Sequence, residues 1–230
     1  MARTRGRAPA GGRADALSQE IVVGTAVELL DEHGERGLTF RLLAQRLNTG
    51  PGALYWHVAN KDELIALAAD HVLGEALADA PRPEGGVAGL RALAVTVFDA
   101  LDRHPWAAFR VTAPATLEHT LSLLDRIGVL VTQTGLPAER HFAVATAIFN
   151  YITGVSAQII SPAVTVDPSV HRDVFLAETA AHWSRLDPAA YPFLPHVTEA
   201  LRDHDDRDQF TTGLDLLLTG LTATTRPPQR

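Results

Sequence analysis

Tyr55, Trp56 and His57 are three consecutive side chains that each join a flat ring to a polar tip. Such groups offer an apolar face together with a hydrogen-bonding tip. Arg41 and Lys61 add positive charge on either side of them, and Thr39 adds a hydroxyl. Aromatic residues at helical spacing usually belong to a core. Adjacent residues on a helix do not share a face, however, so these three cannot all point inward. Other apparent chemistry is weaker. Glu178 and His182 stand four apart, a spacing that puts two metal ligands on one face, but without further ligands they read as a surface pair. His171-Arg172-Asp173 imitates a kinase triplet yet lacks a glycine-rich loop, a strand lysine and Asp-Phe-Gly. His204-Asp205-Asp206, inside the charged run 202–208, reads as a solvated loop. No phosphate loop, nucleophile elbow or zincin helix occurs. No catalytic residue, metal or cofactor is expected.

The 230-residue chain is 46% hydrophobic and 20% charged, an ordinary globular composition. No apolar stretch approaches the roughly 20 residues of a membrane span, so a cytoplasmic protein with no membrane partner is expected. The absence of cysteine removes disulfide scaffolds, zinc ribbons, iron–sulfur clusters and thiol nucleophiles. Net charge is −7, unevenly spread. Residues 1–61 hold eight basic side chains against six acidic ones; the remainder holds 12 against 21. An acidic protein that meets a polyanion needs its positive surface in one place, and here that place is the N-terminal quarter.

The elements that must carry these residues are helical. Residues 1–16 are Arg, Ala, Gly and Pro without apolar periodicity, a disordered basic arm. Ser18 caps a first helix whose stripe is Ile21, Val22, Ala26, Leu29 and Leu30, and Gly34 stops it. Thr39 caps a short helix with Leu43, Ala44 and Leu47 inward. Asn48-Thr49-Gly50 turns, and Pro51 opens a helix to about Val58 in which Leu54 and Val58 face the core. Asn60 caps a fourth helix to about Leu77. Beyond the break at 81–86 the pattern predicts helices over 86–103, 105–111, 114–135, 138–160 and 170–185. A Pro-rich loop and a short turn near 197–203 then lead to a last helix over 206–220. About ten helices and no strand make the fold all-α.

Two short helices joined by a three-residue turn, with longer helices on either side, form a helix–turn–helix. The segment Gly37-Leu38-Thr39-Phe40-Arg41, then Leu47-Asn48, then Ala53-Leu54-Tyr55-Trp56-His57-Val58-Ala59-Asn60-Lys61-Asp62-Glu63-Leu64, resembles the DNA-binding domain of the tetracycline-repressor (TetR) family. The resemblance is close over residues 18–77; beyond them it rests on helix count and on the terminal Phe210 to Leu218 run. It implies a helix–turn–helix DNA-binding domain over 17–62 and a larger helical ligand-binding and dimerisation domain over 63–225. It also implies a homodimeric regulator, a repressor released from a palindromic operator of double-stranded DNA by a small-molecule effector. Arg41 then reaches a base or phosphate. Tyr55, Trp56 and His57 pack on the sugar–phosphate chain. Lys61 meets a phosphate at a helix N-terminus, and Thr39 both caps its helix and touches a phosphate. Asn48 replaces the family's usual Gly, and Gly50 replaces a capping Ser or Thr. Pro51 and Gly52 offer no base-reading side chain, so readout falls on Arg41, Tyr55, the Arg arm and DNA shape.

The C-terminal helices carry polar residues on apolar faces. Thr146, Asn150 and Thr153 form a stripe whose partner is a ligand, the other subunit or neighbouring backbone. Trp106, Phe109, Arg110, His119, Phe149 and Asn150 are the candidate effector contacts, with plain core packing the alternative for each. The residues that hold magnesium–tetracycline in the founding branch have no convincing match; counted on from Lys61, the first drug-contact His falls at Leu77. A different effector is expected. The competing readings are a DNA-binding dimer without an effector and an all-α carrier or enzyme.

Overall fold

The computed structural model describes residues 17–80, 85–112, 117–166, 172–202 and 204–225. The expected basic arm 1–16, Pro114 and His171 lie outside the described residues. Eleven α-helices and no strand occur among those described. The head is α1 (Gln19–Gly37), α2 (Phe40–Arg46) and α3 (Pro51–Leu54). Ser18 Oγ accepts from the Ile21 N–H at 3.2 Å and Thr39 Oγ1 from Leu42 at 3.1 Å, so the polar residue before each run supplies its cap. Gly34 breaks α1 at φ +64° and ψ 179°, a region essentially confined to glycine. One further turn to Gly37 follows the break. The buried face of α1 is Val22, Val23, Ala26, Val27, Leu29 and Leu30, while Ile21 sits at its edge, partly exposed.

Asn48 takes φ +50° in the turn, the left-handed conformation its side chain tolerates best after glycine. Pro51 occupies the first position of α3, whose regular part is four residues rather than the eight that periodicity suggests. Gly50 supplies no side-chain cap, and the chain past Leu54 continues as a turn. His57 and Val58 both donate to the Leu54 carbonyl, at 2.9 and 3.0 Å. Leu54 and Val58 are buried, so the turn keeps the helical spacing of its inward residues.

Helix α4 (Lys61–Asp79) starts at a double cap. Asn60 Oδ1 accepts from Glu63 N–H at 2.9 Å, and Glu63 Oε2 accepts from Ala59 N–H at 2.6 Å. It packs on α1 at one side and on α5 (Gly86–Arg103), α6 (Pro105–Ala108) and α7 (Glu118–Thr132) at the other. One continuous apolar cluster therefore runs from Val22 to Leu221.

Helices α8 (Ala138–Val166) and α11 (Asp206–Thr225) complete that cluster. Phe98 of α5 stacks on Phe210 of α11 with ring centres 4.3 Å apart, and Tyr151 Oη donates to the Phe210 carbonyl at 2.8 Å. Two guanidinium–carboxylate forks, Arg91–Asp215 and Arg207–Asp99, staple α11 to α5. Sequence periodicity ends α8 at Ser161-Pro162, but its backbone stays helical to Val166. A proline inside a helix removes one hydrogen bond without forbidding the conformation. Helices α9 (Arg172–Trp183) and α10 (Thr198–Arg202) pack on each other. The run read as a solvated loop is instead a built joint: His204 lies 2.9 Å from Asp206, both half-buried, and Asp205 Oδ1 caps α11 by accepting from Asp208 N–H at 2.8 Å.

Candidate nucleic-acid interface

The head presents a ring-bearing surface. Trp56 is 89% exposed and Tyr55 60%, while their neighbours Leu54 and Val58 are buried. An indole left that open in a folded domain contributes nothing to a core. Tyr55 is held at its base by Phe40 of α2, with ring centres 4.9 Å apart. Gln19, at the start of α1, donates through Nε2 to the His57 carbonyl at 2.9 Å and ties down the end of the recognition segment. Sequence reasoning missed both supports. Phe40 directly follows Thr39 and resembles any helix-start apolar residue, and the Gln19 bond joins residues 38 apart.

Cations in the head divide into spent and available. Arg46 forks onto Glu32 at 2.7 and 3.2 Å and approaches Glu28 at 3.6 Å. The Arg46 hydrogen bond holds the Glu32 carboxyl below its ordinary range. Arg41, one turn earlier on α2, is exposed and makes no ion pair among the described residues. Lys61 is half-buried at the first position of α4. Thr39 uses an oxygen lone pair for its cap, which leaves its O–H to donate to an acceptor such as phosphate. Thr39, Arg41, Tyr55, Trp56, His57 and Lys61 thus all lie on α2, the segment after α3, and the start of α4.

The six candidate effector residues fall in separate places. Trp106 is buried and donates from Nε1 to Asp31 Oδ1 of α1 at 2.7 Å, an oxygen that His104 Nδ1 also approaches at 2.8 Å. Phe109 is 56% exposed. Arg110, in the 3₁₀ turn Arg110–Thr112, forks onto Glu35 at 2.7 and 3.0 Å and lies 3.8 Å from Asp62. The Glu35 hydrogen bond raises the Arg110 pKa. His119 binds Asp70 of α4 through Nδ1 at 2.9 Å. Phe149 is half-buried against the main cluster, and Asn150 is exposed on α8. Of the polar stripe on α8, Thr146 and Thr153 donate to the carbonyls of Phe142 and Phe149 in their own helix. The nearby Ser156 hydroxyl is buried without a hydrogen-bond partner among the described residues. A cleft of about 270 Å³ opens between α4 and α5, lined by Val72, Glu75, Ala76, Asp79, Arg103 and His104 among others, and none of the six lies on it. Glu178 and His182 are both exposed, and no metal-competent cluster of three occurs among the described residues.

Asp70 shows what those polar pairs do. It is 6% exposed, yet its carboxylate accepts from four donors: the backbone N–H groups of His119 and Thr120, His119 Nδ1 and Thr120 Oγ1, at 2.9–3.1 Å. Leu117, the residue before α7, has no side chain able to cap it. Asp70 therefore caps α7 from a different helix, and α4 cannot move without α7. Gly74 is part of the same joint: a β-carbon there would sit 2.6 Å from His119 Nε2.

An all-α chain with an exposed helix–turn–helix surface, an unpaired Arg41 on it, and a helical body joined through a shared long helix is a DNA-binding regulator. The chain belongs to the TetR family: residues 22–68 match "Bacterial regulatory proteins, tetR family" and residues 81–225 match "Tetracyclin repressor-like, C-terminal domain". An HTH-type transcriptional regulator of Saccharopolyspora erythraea is 31% identical over 211 residues, 90% of this chain and 86% of the relative. The tetracycline repressor of class C from Escherichia coli is 47% identical, but over 57 residues, 25% of this chain and 26% of its own. Among solved structures, the Streptomyces coelicolor TetR regulator SCO7222 superposes with a TM-score of 0.73 at 41% identity, covering 92% of this chain and 100% of its own. ActR of the same species, in complex with actinorhodin, superposes at 0.72 with 25% identity and the same coverage. The chain is a transcriptional regulator with a TetR fold. Among the described residues no helix is long and apolar enough to cross a membrane.

Proposed function

We infer that the chain is a ligand-responsive repressor. As a homodimer in the cytoplasm it holds a near-palindromic operator, and it leaves the DNA when a small molecule occupies the helical body. The observation that carries the DNA half is the recognition segment, with Trp56 89% and Tyr55 60% exposed beside an unpaired Arg41. Tyr55, Trp56 and His57 pack on sugar and phosphate, Arg41 reads a base edge or a phosphate, and Thr39 and Lys61 bind phosphates. The basic arm adds electrostatic attraction.

The dimer is supported by apolar surface. Phe142 of α8 is 79% exposed, and Leu216 and Leu217 of α11 are 71% and 42% exposed, on two helices that pack together. Exposed apolar side chains on two neighbouring helices favour an interface there. Two heads related by a two-fold axis read two half-sites about one helical turn, or a multiple of it, apart. The effector half is supported by the ActR complex with a small organic molecule in the same fold. Trp106, Phe109, Arg110, His119, Phe149 and Asn150 remain the candidate contacts, with an effector other than magnesium–tetracycline. An effector that favours a head geometry unsuited to DNA weakens operator binding by the same coupling free energy. α4 and the 105–112 segment carry the change, because both touch head and body. No enzymatic step enters this reading.

The test is binding of the purified protein to DNA from its own upstream region, at two salt concentrations, with random DNA as competitor. Salt-sensitive binding that survives the competitor is expected. Binding no tighter than to random DNA, with genome-wide selection also returning no palindrome, overturns it.

A further inference from the structure

The α6 segment holds the head by side chains as well as by packing. Asp31 and Glu35 lie on the two sides of the α1 break at Gly34. Asp31 takes Trp106 Nε1 and faces His104 Nδ1; Glu35 takes the Arg110 fork. All three donors come from residues 104–110, some 75 residues along the chain from their acceptors. Trp106 is buried and Arg110 is 30% exposed, and a bidentate guanidinium–carboxylate pair tolerates little rotation. Resting on the homodimeric-repressor reading above, we propose that this double clamp sets the half-site spacing the dimer accepts.

Helices α1 and α2, and α2 and α3, pack on one another, with Leu30, Leu43 and Leu54 buried among them. Where the end of α1 is gripped therefore fixes the angle at which the recognition segment leaves the body. Released from the clamp, the head keeps its own fold and DNA-facing residues but is held to the body chiefly by the packing of α1 on α4, which restricts its angle less. Each head then binds a half-site as before. What changes is the set of separations two heads can span together. Bivalent engagement multiplies affinity by on the order of 10²–10⁴ only where geometry lets both sites be filled at once. A rigid clamp confines that gain to one spacing; a broken clamp spreads it over several.

The experiment uses the full-length protein and the operator found as above, with a half-site and operators whose central spacer is altered by one or two base pairs. The double variant Asp31→Ala with Glu35→Ala removes the acceptors of both clamps. Glu35→Arg with Arg110→Glu reverses one ion pair, and Glu32→Gln breaks an ion pair confined to the head as a control. Wild type and the control should prefer the native spacing by roughly 100-fold. The double variant should lose about tenfold of that preference while its half-site affinity stays within about twofold. The charge reversal, which keeps the Asp31 clamp and re-forms an Arg–Glu pair, should retain most of it. An unchanged spacing preference in the double variant overturns the proposal. So does a half-site affinity that falls as far as operator affinity, which marks a merely folded-state role. A wild-type protein that binds DNA yet gains nothing from the second half-site overturns the dimer reading and the clamp proposal with it.

Discussion

Replacing Asp70 tests whether a carboxylate from α4 really caps α7. In Asp70→Asn, Oδ1 still accepts from Thr120, but the amide now turns N–H groups toward the His119 N–H, a donor facing a donor, and toward His119 Nδ1, which must change tautomer to accept. Hydrogen bonds to a charged group contribute about 1.5–3 kcal/mol, and a stranded buried donor costs about 1–3 kcal/mol. The loss should be about 2–3 kcal/mol. Asp70→Ala strands all four donors and removes the side-chain cap that α7 has among the described residues, so about 3–5 kcal/mol is expected from the unmade hydrogen bonds. At about 2–4 °C per kcal/mol for a chain of this size, melting should fall by roughly 4–12 °C for Asn and further for Ala. The assay is thermal unfolding by circular dichroism at fixed protein concentration, since a dimer's midpoint depends on it. Arg202→Ala, which breaks an exposed pair with Glu199, is the reference and should cost under about 1 kcal/mol. If Asp70→Ala melts with Arg202→Ala, the capping argument fails.

Arg41→Ala should leave the melting point unchanged, because the side chain is exposed and unpaired. It should cost about 1–3 kcal/mol in operator affinity with relaxed preference at one base pair if Arg41 reads a base. If it meets a phosphate instead, the salt slope should drop by about one unit; no change in binding at all would remove it from the interface. Trp56→Ala should weaken operator and random DNA alike in a competition assay, with no loss of helicity by circular dichroism. Phe142→Glu places a charge in the exposed apolar face of α8, so light scattering should report a monomer; a stable dimer would refute the α8–α11 interface. The Arg91 fork holds the Asp215 carboxyl below its ordinary range. That pair therefore adds stability above the unfolded-state value of about 3.9 and loses it as pH falls through the lower folded value. Asp215→Asn should melt below wild type at pH 7, and the gap should close in strong acid; a constant gap would mean that the pair's charge contributes nothing.

Much of the head was legible because its signals are local. Ser18, Thr39 and Asn60 each precede a helical run and accept a backbone N–H three residues on; Gly34 and Asn48 stand where φ turns positive, and Pro51 where a missing N–H costs nothing. Each depends on a few neighbouring dihedrals, which residue type constrains directly. The exposure of Tyr55 and Trp56 followed from counting faces. The reach of α8 past Pro162 did not, because a proline removes one helical hydrogen bond and biases the chain to stop without forbidding the helix. The sequence also left the candidate effector residues as isolated polar or aromatic positions on apolar helices. Tertiary structure gave three of them carboxylate partners: Trp106 found Asp31, Arg110 found Glu35, and His119 found Asp70. Those partners lie 49 to 75 residues away, and no helical period links them. Sequence alone thus determined a helical protein with a DNA-facing head, since periodicity, caps and turns are properties of short segments. Only the packed chain decided which charges join the head to the body, because Asp31 and Glu35 meet their donors only where the fold brings residues 104–110 beside α1.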